Sequence, residues 1–509
     1  AVEKSSAAPS PDNFLASYHF AGMNALENST NGTQLKKILA LPETKKFHED
    51  VVQKLARSLG AILAPGHATA NLIPLIEDLE KMESAAELGE KNAALEFSLA
   101  VKLSEERSKF WETTLKGFVQ ATSQPGAANG WEGKINGRNT ALRFARAGKW
   151  TFVFLGPSPG TGQANFVARV EKISGTPQNF LEADLNWPAL KTWMPFGLPL
   201  KAARTIIKVN GSGEYLRTTA RVVYPEKLEW KAEPWRIPTN AIRDPLISFT
   251  AMQRVEPFLK PTKFSQTGFD PLTNQIFFWA LSQMPFQSYV ALPVNDATNT
   301  LKLFGPKVMA AFNDDLKNRD AGVLNIASNK VDLIWQRLPI IVPTLQAARE
   351  KNGDFLMGGI FPLVPNTNMA PSELFAQISG RSDVVYYDWE ITQYRLSQAG
   401  MLSQLFPLFG KERVASTNAA IANRLVPARV PEQKWLAAIG PLLGNTITEV
   451  TYKSPTELEI TRKSHLGLNS IELVLFSHWL AHPNFPAVDP FATTTEAHTP
   501  SAPAPSRKP

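Results

Sequence analysis

The alternation of apolar and polar positions divides the first half of the chain into β-rich and helical stretches. Residues 13–22 alternate as in a half-buried strand. Apolar residues at helical spacing predict that helices dominate from about 34 to 122. Residues 131–156 then alternate around a glycine turn, which predicts two or three antiparallel strands. A short helix at about 164–173 and a strand at 179–187 follow.

A predicted hairpin closes this half. Two β-rich segments within residues 203–225 flank Asn210-Gly211 and Ser212-Gly213, residue pairs that are typical of tight hairpin turns. The second half repeats the outline, because strand patterns, a helical region interrupted at Pro306 and a closing ladder at 447–464 follow in the same order.

Three landmarks recur at a nearly constant offset. Gly353 lies 205 residues after Gly148, and Ile-Ser-Gly at 378–380 lies 205 residues after the same tripeptide at 173–175. Asp388 lies 204 residues after Asp184. Such self-similarity predicts a repeat architecture. The predicted fold class is therefore α+β, with two tandem repeats, each an antiparallel sheet covered by helices, and with a helix-rich N-terminal unit.

The predicted boundaries follow from this repeat. Residues 1–12 are expected to be disordered, 13–235 to form the first α+β unit and 236–486 the second, with an insertion around 407–436. The tail 487–509 is rich in Pro, Ala and Thr and is expected to be disordered.

The segment joining the two units, residues 233–259, contains four prolines and three arginines around an apolar run. Proline lacks a backbone N–H, so the segment is predicted to be extended and rigid. Arginine and aromatic residues are enriched in interface anchors, which makes the following set a predicted partner-binding site: Trp235, Arg236, Arg243, Asp244 and Trp279. The alternative is that Arg243 and Asp244 form a local ion pair and that the aromatic rings belong to the core.

Composition narrows the function classes. The chain has 509 residues, 43% of them apolar, and includes 12 Trp and 29 Phe, enough to fill large cores. It has no cysteine, which excludes thiolate nucleophiles and cysteine-based metal sites and suits an exported protein. The net charge of +7 is spread without a basic run, so no nucleic-acid partner is predicted, whereas an anionic envelope surface is compatible with it.

Two further features bear on location. The sequence starts at Ala1 with a small, polar stretch, which predicts a mature chain after removal of a signal peptide. No apolar run approaches the roughly 18 residues that span a bilayer, so no transmembrane segment is expected.

Each candidate catalytic or metal-binding motif lacks a required group or has a simpler structural interpretation. Residues 156–160 match G-x-S-x-G, but Pro159 follows the serine and cannot donate to an oxyanion hole. His478 and His482 have helical ligand spacing, but a helix end is the simpler interpretation. Asp184 and Asp388, with Glu390 nearby, are expected to cap the following helices rather than to act as acid and base. No catalytic residue, metal site or cofactor is predicted.

Four phrases carry a resemblance to a known group: WRIPTNAIRDPLISFTA, NQIFFWA, VVYYDWEIT and ELEITRKSHLGL. The chain resembles, over roughly residues 13–486, large uncharacterised exported proteins of bacteria with complex envelopes. That group has no assigned activity, so the resemblance implies a periplasmic or secreted location and no chemistry.

The favoured hypothesis is a non-catalytic envelope protein that acts as a binding, scaffold or accessory subunit for another envelope protein or complex. The alternative is a ligand or lipid carrier, or a hydrolase, with a site between the two units. A deep polar cleft between the two units would favour this alternative, and a continuous apolar tunnel would instead favour a lipid carrier.

Overall fold

The coordinates come from a computed structural model, which describes the chain from residue 14 to residue 486 with gaps. The described residues are 14–63, 69–91, 94–119, 124–126, 130–135, 140–156, 161–173, 177–191, 202–229, 233–256, 274–282, 287–318, 321–328, 331–338, 341–363, 368–405, 430–483 and 485–486.

Twenty strands are described, and they belong to one sheet. In chain order they are β1 (Phe14–Phe20), β2 (Ser84–Lys91), β3 (Ala94–Lys102), β4 (Gln124–Gly126), β5 (Gly130–Lys134), β6 (Ala141–Ala147), β7 (Trp150–Gly156), β8 (Leu181–Asn186), β9 (Arg204–Ser212), β10 (Tyr215–Val223), β11 (Leu246–Gln253), β12 (Gln275–Leu281), β13 (Ser288–Val294), β14 (Val323–Ile326), β15 (Leu333–Gln336), β16 (Thr344–Glu350), β17 (Gly353–Gly359), β18 (Val384–Ile391), β19 (Asn445–Ser454) and β20 (Glu457–Ser464).

Helices fill the connections between these strands. They are α1 (Met23–Asn28), α2 (Thr33–Ala40), α3 (Pro42–Leu63), α4 (Ile73–Lys81), α5 (Glu105–Lys116), α6 (Thr161–Glu171), α7 (Trp187–Lys191), α8 (Ala297–Asn318), α9 (Ser372–Ala376), α10 (Thr392–Leu405), α11 (Val430–Ile439) and α12 (Ser470–Ala481). Two short 3₁₀ turns, Ala70–Leu72 and Gly440–Leu442, complete the described helical segments.

All neighbouring strands are antiparallel, and the sheet is open, with edges at β4 and β14. Its order is β4–β5–β6–β7–β3–β2–β1–β8–β9–β10–β20–β19–β18–β11–β12–β13–β17–β16–β15–β14. Counted inward from either edge, the strand order is the same. Each of the strands β1 to β10 has the position that the strand numbered ten higher has in the other half. The halves meet where β10 pairs with β20, from Leu216 opposite Ser464 to Val223 opposite Glu457.

Cross-strand register defines two faces that can be followed through the whole sheet. Face 1 carries α3, α4 and α5, which pack on residues such as Leu99 and Val153, and α8, which packs on Leu292. Face 2 carries α6, whose Phe166 meets Phe152, and α9, which packs on β11. One row of cross-strand partners runs along face 2: Ala85, His19, Glu182, Lys208, Thr219, Thr461, Glu449, Tyr387 and Ala251.

A helical layer from both halves crosses the middle of the molecule. Residues of α2 and α3 share a core cluster with residues of α10, α11 and α12. Phe47 stacks on Trp435 with ring centroids 4.9 Å apart. The ammonium of Lys54, which is buried, donates to the carbonyl oxygens of Leu480 and Ala481 at 3.1 and 3.0 Å. These carbonyls close α12, so a cation lies where the helix dipole is negative.

The mixed α and β content with antiparallel pairing is confirmed, but the helix-rich first unit is not. Helices were predicted to dominate about 34–122, and this is wrong for 84–91 and 94–102, where β2 and β3 pair as antiparallel strands. Leu99, Ala100 and Val101 are consecutive and buried because the sheet is covered on both faces here. A strand covered on both sides loses its period of two and resembles a helix in sequence.

Several smaller predictions also have outcomes. The strands expected at 13–22, 131–156 and 179–187 are present as β1, β5 to β7 and β8. The closing hairpin is present, but its turn lies at Gly213-Glu214, because Ser212 still pairs with Tyr215. The termini 1–12 and 487–509, and most of the expected insertion, lie outside the described residues.

Adjacent positions on β12 offer a matched test of this core. Trp279 is 1% exposed on face 2, whereas Phe278 is 42% exposed on face 1. Trp279→Ala should lower the free energy of unfolding by about 3–5 kcal/mol, because a large buried side chain leaves a cavity. Phe278→Ala should cost less than about 1 kcal/mol. Urea unfolding of both variants measures this, and equal losses would contradict the assigned register.

Candidate functional site

The predicted partner-binding residues Trp235 and Arg236 make hydrogen bonds and ring contacts with the second half of the sheet. The indole Nε1 of Trp235 donates to the carbonyl of Arg381 at 3.1 Å, and its ring meets Phe277 edge-on at 5.9 Å. The guanidinium of Arg236 donates to the carbonyl of Val294 at 2.7 Å and lies 5.8 Å above the ring of Phe355. Both side chains are half-buried.

Arg243 and Asp244 lie further along the same segment and are also half-buried. The backbone of Arg243 pairs with Met369, and the Asp244 carboxylate accepts a hydrogen bond from the amide of Leu246 at 3.3 Å. Trp279 is enclosed and stacks on Tyr289 at 5.5 Å, so no partner reaches its ring on the folded surface. The structure thus gathers the set around one core, with Trp279 inside it.

Asp184 and Asp388 do not occupy equivalent places, although their spacing suggested it. Asp184 lies on face 2, where it accepts two hydrogen bonds from Arg204. Asp388 lies on face 1, where the hydroxyl of Thr250 donates to it at 2.6 Å. The capping role predicted for both is therefore wrong. Glu390 instead anchors α12, accepting from the amide and the hydroxyl of Ser470 at 2.7 Å each.

Asp388 is the strongly perturbed carboxyl group of this cluster. Its burial raises its pKa to about 6, against the lowering effect of the Thr250 hydrogen bond, and the charge of Glu390 adds to the rise. Arg395 and Arg462 oppose this shift. The Arg462 guanidinium is engaged by the carboxylate of Glu472 at 2.5 and 2.9 Å. The group is a buried acid on face 1 of the sheet.

The other candidate motifs form no catalytic or metal-binding arrangement among the described residues. His478 lies 3.8 Å from the carboxylate of Glu432, and His482 ends α12 as its C-cap. No group of three or more potential metal ligands occurs within the described ranges. Gly156 ends β7, and the remainder of the G-x-S-x-G match lies outside the described residues.

The middle of face 2 is the surface that sequence reasoning missed. We call it the open surface: the face 2 side of β9, β10, β20 and β19, between α6 and α9. Arg217, Arg221 and Lys463 are exposed there, so no described helix covers these positions. Arg217 and Lys463 lie directly opposite each other across the joint between the halves. Like charges placed opposite each other destabilise a sheet pair.

Nothing among the described residues neutralises this pair. Neither Arg217 nor Lys463 forms an ion pair there, and the ammonium of Lys463 lies 4.1 Å above the ring of Tyr215. The Glu449 carboxylate, which lines this depression, accepts a hydrogen bond from Arg381 at 3.0 Å. The depression has a volume of about 320 Å³, and its lining includes Ser212, Tyr215, Arg217, Thr461 and Lys463.

The other end of the same joint supplies an internal comparison. There Arg221 faces Glu459 across the pair, and the Glu457 carboxylate accepts from Arg221 at 2.8 and 2.7 Å. Opposite charges thus meet at one end and two cations at the other. The sequence signal for this surface was the alternation of apolar and polar residues within β10, which indicates that the side chain of Arg217 points to solvent. The cationic partner could not be found because it is about 250 residues away in the sequence.

A second cavity lies at the joint on face 1 and is mainly apolar, with a volume of about 550 Å³. Residues of both halves line it, including Tyr224 and Leu228 from the first and Met252, Tyr386 and Leu458 from the second. This volume falls within the usual range for small-molecule sites.

No protein-family model, curated protein or solved structure matches the chain. Among the helices that are described, none is long and apolar enough to cross a membrane.

The buried acid gives a pH-dependent prediction. The raised pKa of Asp388 means that the native state binds this proton more tightly than the unfolded chain does. The associated stabilisation is present below pH 4 and is lost as the pH rises through about 6. Asp388→Asn should therefore change stability little at pH 4 and raise the free energy of unfolding at pH 8 by up to about 3 kcal/mol.

Urea unfolding at both pH values, with Asp184→Asn as the control, measures this difference. A variant that is less stable than the wild type at pH 8 would show that ionised Asp388 is stabilising.

Proposed function

We propose that this protein is a non-catalytic exported envelope protein that acts as a binding, scaffold or accessory subunit of a larger assembly. The uncompensated Arg217–Lys463 pair in the middle of an uncovered sheet face carries the proposal. Two cations held together at a cost in stability are explained if an acidic partner neutralises them. The absence of cysteine agrees with export.

We further propose that the chain consists of two tandem α+β repeats. The matching strand orders of β1 to β10 and β11 to β20 support this, as do the equivalent positions of α6 and α9 on face 2. In this interpretation the joint between β10 and β20 lies on the approximate two-fold axis. The open surface is then the place where the two repeats meet. The five residues that the sequence predicted as a partner-binding site instead stabilise the fold of the second repeat.

The acidic partner can be another envelope protein or an anionic envelope surface, because the positive charges of the pair attract either one. We favour an acidic protein surface, because the open surface also carries carboxylates such as Glu457 and Glu459 that a purely anionic plane would repel.

A ligand carrier remains as a second candidate function. The apolar cavity on face 1 favours it, since residues of both halves line that cavity. The described residues give no support to the hydrolase.

Charge reversal at the pair tests the favoured function. Arg217→Glu combined with Lys463→Glu should weaken partner binding about tenfold or more, because like charges would then face the partner. Lys45→Glu with Lys46→Glu makes the same change in net charge on the exposed side of α3 and should leave binding intact.

The wild type and both double variants are isolated gently from their source at low and at moderate salt. Native mass spectrometry then measures how much partner polypeptide each of them has bound. Equal occupancy for the wild type and both double variants would contradict a role of the open surface.

A further inference from the structure

The apolar cavity at the joint has a composition that specifies its ligand more closely than its volume does. Five aliphatic or thioether side chains form most of its wall: Leu228, Met252, Val385, Val450 and Leu458. Three phenols and one guanidinium supply the polar groups, together with Gln253: Tyr224, Tyr386, Tyr452 and Arg254. Mainly apolar walls with a few polar groups are typical of small-molecule sites.

Arg254 gives this cavity a positive charge, and no carboxylate among the described lining residues compensates it. None of the described lining residues is acidic, and Arg254 forms no ion pair with any described residue. Its charge does act on Tyr224, whose pKa burial raises and Arg254 lowers. A cation beside an apolar cavity attracts a ligand that has an apolar body and a negative head.

The backbone of Arg254 carries a second, independent signal. Its φ of 62° lies in the left-handed region, which among described non-glycine residues only Arg254 and Arg337 adopt. This conformation is unfavourable for a side chain that has a Cβ, and such strain concentrates at binding sites. The neighbouring residues Gln253 and Val255 are buried and fix the position of the strained residue.

Tyr386 adds a hydrogen-bond donor to the apolar wall. It lies directly opposite Met252 on one side and Val450 on the other, in the middle of the face 1 surface. Burial raises its pKa, so the phenol remains protonated at neutral pH. Its hydroxyl makes no hydrogen bond with the described residues, which leaves it available to an acceptor.

We propose that this cavity binds a single-chain amphipathic carboxylate, with its alkyl chain against Met252, Val450 and Leu458 and its carboxylate at Arg254. The site deepens the carrier candidate above. The cavity lies on the face opposite the Arg217–Lys463 pair, so the proposed ligand site can be tested independently of the open surface.

Dodecanoate, dodecanol and dodecylamine, titrated by isothermal calorimetry into the full chain below their aggregation concentrations, test the ligand class. Dodecanoate should bind with a stoichiometry of one, the neutral alcohol about tenfold more weakly, and the amine still more weakly. Equal affinity for all three ligands would overturn the assignment of Arg254 as the anion-binding group.

Arg254→Gly separates recognition from folding, with Arg337→Gly as its matched control. Glycine adopts positive φ freely, so neither variant should lower the melting temperature. Arg254→Gly should weaken dodecanoate binding at least tenfold and leave dodecanol binding unchanged, whereas Arg337→Gly should alter neither. Unchanged dodecanoate affinity in Arg254→Gly would overturn the proposal.

Val450→Trp places a large ring in the cavity and should abolish binding of both dodecanoate and dodecanol. Met252→Trp is the second variant if Val450→Trp fails to fold. Dodecanoate binding that persists in a folded filled variant would overturn the location of the site. The Arg217→Glu, Lys463→Glu double variant should bind dodecanoate like the wild type, so loss of partner binding and loss of ligand binding remain distinguishable.

Discussion

The pairing of β10 with β20 is the interaction on which the rest of the structure depends. Both strands end their own half of the chain, and without each other each would present a row of unpaired N–H and C=O groups. The pairing runs from Leu216 opposite Ser464 to Val223 opposite Glu457 and makes both strands interior. Helices reinforce it, because Lys54 of α3 binds the carbonyls that end α12.

Both candidate sites are products of this joint. Arg217 and Lys463 come from different halves and become neighbours only across it. The apolar cavity likewise needs Tyr224 and Leu228 from one half and Tyr386 from the other. Neither half alone contains a complete site. The central segment that contains Trp235 and Arg236 has a different task, since its hydrogen bonds hold the second half of the sheet together.

Sequence reasoning identified elements whose pattern is local and missed relations that depend on long-range pairing. The alternation in β1 and β10 could be read directly, since one side of each strand is more polar. The β2–β3 hairpin could not, because burial on both faces removes that alternation. Asp184 and Asp388 seemed equivalent by spacing, but β8 ends at Asn186 and β18 ends 205 residues later at Ile391, so the counterpart of Asp184 is Trp389 rather than Asp388. A shift of one residue moves a side chain to the opposite face.

The most direct test of the joint is hydrogen–deuterium exchange of the full chain, resolved to single amides in β10 and β20. Interior strands use every amide in a ladder bond, half to each neighbour. Paired β10 and β20 should therefore show slow exchange at all amides from Leu216 to Val223 and from Glu457 to Ser464, comparable to that in β7. Fast exchange at every second amide in both strands would show two free edges and would contradict the single sheet.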